Sequence, residues 1–122
     1  MYNISMNKPI MKEYPNGHKE WKLDGKRHRE DGPAIEYPNG DKYWYINDKL
    51  HREDGPAAIF SDGTKYWCLN GLIHREDGPA AIFPSGRKVW YLFGKVVTEK
   101  EVMEIYFTKD IKDAFKDIIE GL

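Results

Sequence analysis

His28, Arg29, Glu30 and Asp31 follow one another directly, and the same four residue types return at 51–54 and 74–77, each 23 residues after the last. Imidazole beside carboxylate is a pairing used in general acid–base catalysis, and histidine with acidic oxygens also offers metal-ligand types. The pattern suits neither chemistry. One asymmetric active centre has no use for three equal copies, and no serine or cysteine nucleophile accompanies them. Tight zinc sites gather ligands from local pairs such as Cys-x-x-Cys, whereas these histidines are spread one per repeat. The acidic pairs match neither the EF-hand loop nor the glycine-rich calcium nonapeptide. The expectation is a protein that is not an enzyme, with no catalytic residues, no metal and no cofactor.

Recognition and architecture remain. Arg29, Arg52 and Arg75 carry planar guanidinium forks suited to carboxylate or phosphate, which makes them candidate partner-binding residues. The architectural reading makes the motif His-Arg-Glu-Asp-Gly-Pro-Ala, at 28–34, 51–57 and 74–80, a connector between units. Its glycine would accept unusual backbone angles and its proline would set the next residue extended. Each arginine would pair with an acid of its own or a neighbouring connector, and His74 would lie opposite Trp67 and pack on it.

The elements that must position these residues repeat with the same period. Trp21, Trp44, Trp67 and Trp90, and the glycines Gly17, Gly40, Gly63 and Gly86, are also 23 residues apart, so four units overlay without an insertion. Within one unit, Ala57-Ala58-Ile59-Phe60, Ser61-Asp62-Gly63-Thr64 and Lys65-Tyr66-Trp67-Cys68-Leu69 read as a β-hairpin, with Asn70-Gly71 as a second tight turn. Asn-Gly and Asp-Gly tolerate the positive φ that two-residue hairpin turns need. A two-residue turn at Asp62-Gly63 places Phe60 opposite Lys65 and Ala58 opposite Trp67. One face then carries the tryptophans with Tyr14, Tyr37, Phe60 and Phe83 as core, and the other carries Tyr43, Tyr45, Ile59, Tyr66 and Cys68. On that second face Tyr43, Tyr45 and Tyr66 are candidate partner-binding anchors, because tyrosine buries much area at little rotamer cost. An edge strand at 11–14 allows pairing into a homodimer.

The repeat breaks at Val97, where the next histidine is due. Thr98 with Glu101 has the form of a capping box. Val102, Ile105 and Tyr106, then Ile111, Ala114, Phe115, Ile118 and Ile119, recur at helical spacing, which predicts two short helices lying on Ile82, Val89 and Tyr91. The fold class expected is mainly β: a four-unit antiparallel β-hairpin repeat meander over 1–97, closed by a C-terminal α-helical cap over 98–122 of the same domain.

A chain of 122 residues, 40% apolar and 14% aromatic, suits one folded domain. The single cysteine, Cys68, leaves no partner for an intramolecular disulfide. A net charge of −1, from 19 basic and 20 acidic residues, lacks the phosphate attraction of a nucleic-acid binder. No window approaches the ~20 apolar residues of a membrane span. The expectation is a soluble, cytoplasmic protein whose partner is another protein rather than nucleic acid or membrane.

Gly63, Tyr66-Trp67, Asn70-Gly71 and His74, repeated every 23 residues, resemble the membrane occupation and recognition nexus (MORN) repeat, over residues 11–97. The resemblance implies an elongated, curved sheet of successive hairpins acting as a scaffold or protein-binding surface, with lipid binding as a further proposed role. Bacterial MORN-type proteins described as antitoxins look similar, and the Arg-Glu-Asp-Gly-Pro variant resembles that of uncharacterised phage and large-virus proteins. In this chain His74-Arg75-Glu76-Asp77-Gly78-Pro79 takes the place of the family's His-Gly step. The function this implies is a noncatalytic protein-binding module, an inhibitor, antitoxin or phage anti-defence protein that sequesters a partner. The alternative is a small-molecule or nucleotide-binding sponge that uses the repeated arginines.

Overall fold

The computed structural model describes residues 8–107. Its strands are β1 (Ile10–Glu13), β2 (Lys19–Leu23), β3 (Lys26–Arg27), β4 (Ile35–Glu36), β5 (Lys42–Tyr43), β6 (Tyr45–Ile46), β7 (Lys49–Leu50), β8 (Ala58–Ile59), β9 (Lys65–Tyr66), β10 (Cys68–Leu69), β11 (Leu72–Ile73), β12 (Ala81–Ile82), β13 (Lys88–Leu92) and β14 (Lys95–Val97). A single turn of α-helix, α1 (Glu99–Val102), and a π-helical turn, Met103–Phe107, follow. Ten strands form one antiparallel sheet in the order β1-β2-β4-β5-β8-β9-β12-β13-β14, with β3 paired to β2. The fold is mainly β, as the repeat requires. The hairpins β6-β7 and β10-β11 prolong it into a second row, joined across units by Arg29 N to Tyr45 O at 3.0 Å, Arg52 N to Cys68 O at 3.1 Å and Gly71 N to Leu50 O at 2.8 Å.

Two turn types alternate. The turns of the second row are two-residue turns with positive φ at both positions: Asp24 and Gly25 (52° and 78°), Asn47 and Asp48 (49° and 67°), Asn70 and Gly71 (49° and 83°), Phe93 and Gly94 (48° and 82°). These are the twist-matched type I′ turns expected of Asn-Gly. The first-row turns depart from expectation. Phe60 and Thr64 close a three-residue loop, with Phe60 N donating to Thr64 O and Gly63 N to Phe60 O, both at 2.9 Å. Only the glycine is left-handed there (Gly63, φ 98°), which is the type I turn with a glycine bulge.

The extra loop residue shifts the register by one. Ile59 pairs with Lys65 and Ala58 with Tyr66, not Phe60 with Lys65 and Ala58 with Trp67. A slip of one exchanges faces, so Phe60, Tyr37 and Phe83 join the tyrosines while Ile59 joins the tryptophan side. On the tyrosine side the rings form one ladder across the strands. Successive centroids are 6.0 Å apart for Tyr37–Tyr43, 5.6 Å for Tyr43–Phe60, 5.7 Å for Phe60–Tyr66 and 6.0 Å for Tyr66–Phe83, each edge to face. Small residues make room for them: Ala58 lies between Tyr43 and Tyr66. Among the described residues Ala34, Ala57, Ala58, Cys68, Ala80 and Ala81 are the most buried, at 0–2% exposure, and no large side chain is fully buried.

The predicted capping box is present. Thr98 Oγ1 accepts from Glu101 N, and the Glu101 carboxylate accepts from Thr98 N. The first helix sits differently from expectation. Val102, buried, lines a groove with Trp90 and Lys88, so α1 covers the tryptophan side of β13 rather than Val89 and Tyr91, which alternate to the other face. The predicted second helix, with Ile111, Ala114, Phe115, Ile118 and Ile119, lies outside the described residues. Among the described residues no helix is long and apolar enough to cross a membrane.

Candidate functional site

Each connector leaves and rejoins the sheet at one residue. His74 N donates to Trp67 O at 2.9 Å and Trp67 N donates to Ala80 O at 2.8 Å, so residues 75–79 project as an arch beside Trp67. His51 and Ala57 bracket Trp44 in the same way, and His28 and Ala34 bracket Trp21. Inside each arch the arginine folds back over the indole. The guanidinium carbons of Arg29, Arg52 and Arg75 lie 3.8, 4.0 and 4.0 Å from the ring centroids of Trp21, Trp44 and Trp67. Arg52 Nε donates to Asp54 Oδ1 at 2.9 Å and Nη1 to Pro56 O at 3.1 Å, and Arg29 and Arg75 repeat both bonds. The Arg52 bond holds the Asp54 carboxyl below its usual range.

The connector glycine serves this stack. A Cβ at Gly32, Gly55 or Gly78 would lie 2.9, 2.9 or 2.7 Å from the guanidinium carbon of its arginine. None of the three has positive φ. The expectation that this glycine supplies an unusual backbone angle is therefore corrected: it is needed for close approach. The pairing of each arginine is chiefly with its own connector, Arg29 with Glu36 at 3.8 Å being an addition.

The side-chain bonds that join one unit to the next come from the histidines. His28 Nδ1 accepts from Asn47 N at 3.0 Å, His51 Nδ1 from Asn70 N at 2.9 Å and His74 Nδ1 from Phe93 N at 2.9 Å. Accepting at Nδ1 leaves the ring proton on Nε2, which faces the glutamate two residues on; in the third copy the contact, to Glu76, is 3.1 Å. The His74 ring packs on Phe93, with centroids 4.1 Å apart, while Arg75 takes the face of Trp67 that His74 was expected to cover. The signal was in the sequence: each of these histidines precedes the first residue of the next two-residue turn by 19 positions.

Between successive arches run grooves. One, of about 730 Å³, has Trp44 and Ile46 as its apolar lining and Arg29–Gly32 and His51–Asp54 as its walls. The next, of about 490 Å³, repeats the plan with Trp67 and Leu69. At the C-terminal end α1 stands where a fourth arch would be, and Val102 and Met103 line a groove together with Trp90. The acidic residues lie at the tips. The side chains of Glu30, Asp31, Glu53 and Asp54 are 82–89% exposed, so their carboxylates remain open to a partner.

The candidate residues thus fall into two groups. Arg29, Arg52 and Arg75 lie on the tryptophan side, within the groove walls. Tyr43, Tyr45 and Tyr66 are half-buried on the other side, where Tyr43 and Tyr66 belong to the ring ladder and Tyr45 carries the Arg27 guanidinium at 4.2 Å. Burial pushes the Tyr43 hydroxyl above its ordinary value. One flat partner surface does not reach both groups. The chain matches no protein-family model and no curated protein.

Proposed function

We propose that this chain is a noncatalytic protein-binding module that engages its partner through the grooved tryptophan side, as an inhibitor, antitoxin-like or phage anti-defence protein that sequesters that partner. The observation that carries this reading is the regular row of arch-walled grooves, in which indole and aliphatic surface is framed by exposed carboxylates. Apolar centre and charged rim are the anatomy of protein interfaces, and tryptophan is prominent among their anchors. The MORN-like repeat reading points the same way. A lone, buried, unpaired cysteine fits a reducing compartment, and the cytoplasm is the proposed site of action.

In the rival reading the arginines bind nucleotides. Two donor groups of each guanidinium are already engaged within its own arch. Parallel affinity purification from the cells that express the chain separates the readings. A protein recovered stoichiometrically with the wild type and lost with Glu30→Lys/Glu53→Lys supports the proposal. Recovery with neither form, together with a nucleotide-dependent rise in melting temperature abolished by Arg52→Ala, replaces it with the rival.

A further inference from the structure

Resting on the protein-binding reading, we propose that the grooved face takes a polyproline-II segment carrying a basic residue at every third position. The first argument is spacing. Trp44 and Trp67 directly follow the equivalent strands β5 and β9, which have a single strand, β8, between them, so the grooves recur every two strand spacings, about 9.5 Å. A polyproline-II helix has three residues per turn and rises 3.1 Å per residue, so one of its ridges recurs about every 9.3 Å. An extended β-strand rises about 3.3 Å per residue with a two-residue side-chain period, and an α-helix repeats about every 5.4 Å. Neither keeps step with the grooves.

The second argument is composition. The groove lining is indole beside Ile46 or Leu69, and proline-rich segments dock on aromatic-lined grooves because their backbone is already ordered. The third is charge. Three arginines face six carboxylates in the connectors, which leaves three negative charges in excess along the arches. With the arginines held down on the indoles, the carboxylates of Glu30, Asp31, Glu53 and Asp54 are left exposed on the first two arches. A ligand whose prolines enter the grooves and whose arginines meet the tips satisfies both surfaces. At the C-terminal end the chain's own buried Val102 helps line the last groove together with Trp90, so apolar surface accompanies the indole there as well.

The test uses the full chain and a fluorescent peptide of four Pro-Pro-Arg triplets, read by anisotropy at ~0.1 M salt. A Gly-Ser-Arg peptide of equal length and charge and a Pro-Pro-Glu peptide are the controls. The Pro-Pro-Arg peptide is expected to bind at least about tenfold more tightly than Gly-Ser-Arg, since its backbone ordering is already complete, while Pro-Pro-Glu does not bind. Glu30→Lys/Glu53→Lys is expected to weaken binding by about tenfold or more at an unchanged melting temperature. Equal affinity for the two arginine peptides would reduce the effect to charge alone and overturn the inference. So would no binding of Pro-Pro-Arg, or full affinity in the double variant. If a native partner is captured through the grooves while Pro-Pro-Arg fails, this inference falls and the protein-binding reading stands.

Discussion

The guanidinium carbon of Arg52 lies 2.9 Å from the point where a Cβ on Gly55 would be, with the Trp44 ring on its other side at 4.0 Å. Arginine, glycine and tryptophan pack together, and a Cβ at the glycine would require the guanidinium to shift. Gly55→Ala is expected to displace Arg52 from Trp44 and cost about 1–2 kcal/mol, the combined value of a cation–π contact and its hydrogen bonds. Urea unfolding of Gly55→Ala, Arg52→Ala and the double variant checks this. The two single losses are expected to be strongly non-additive, and simple additivity would mean that the stack is not what the glycine protects.

The histidine bonds between units predict an order of damage. His74→Ala leaves Phe93 N without its acceptor in a partly buried setting and removes a ring contact, so a loss of about 2–3 kcal/mol is expected. His51→Ala strands Asn70 N in an exposed setting, where water replaces the ring, and about 1 kcal/mol is expected. Chemical denaturation of both variants gives the comparison. Equal losses would refute the account.

At the C-terminal end, Val102→Ala removes two methyl groups from a residue 3% exposed, at a cost of about 1.5–2 kcal/mol. Thr98→Ala removes the capping box for about 1 kcal/mol, and Thr98→Ser retains it. If Thr98→Ser loses as much as Thr98→Ala in thermal melts, the hydroxyl acceptor is not what holds the cap.

Stability is expected to fall at both extremes of pH, for opposite reasons. Asp48, Asp54 and Asp62 are held below the usual aspartate range by hydrogen bonds from Arg27, Arg52 and the Thr64 backbone. The folded chain therefore binds these protons less readily than the unfolded one. Their contribution is complete above the ordinary aspartate range and is lost as pH falls through the depressed values. Burial raises the Cys68 thiol from 9.0 to about 11, so the folded chain resists forming the thiolate and loses stability as pH climbs across that interval. Urea midpoints across pH, with Cys68→Ala as control on the alkaline side, test both limbs. At pH 8.5 iodoacetamide should label Cys68 at the rate of unfolding, and labelling as fast as a free thiol would contradict its burial.

Much of the fold was legible because its determinants are local. The 23-residue period, the Asn-Gly turns of the second row and the Thr98–Glu101 box each depend on a few neighbouring residues with narrow backbone preferences. The first-row turn was misread by one residue, since Asp-Gly serves a two-residue turn and a bulged three-residue loop alike. Nothing within the turn itself decides between them. That single residue exchanged the faces of Phe60 and Ile59 and turned Tyr43 and Tyr66 from open anchors into rungs of a ladder.

By itself the sequence determined that four equal units must stack and where each would turn, because period and turn chemistry act within one unit. Tertiary structure alone decided what the repeated charged motif is for. Arg52 meets Trp44 eight residues away only when the arch closes, and His51 finds Asn70 N, 19 residues on, only when the next hairpin is laid beside it. Arginine, histidine and the acids are alike compatible with exposed turns. Which of them is spent inside the protein, and which is left at the rim of a groove, depends on distances that exist only once the units have stacked.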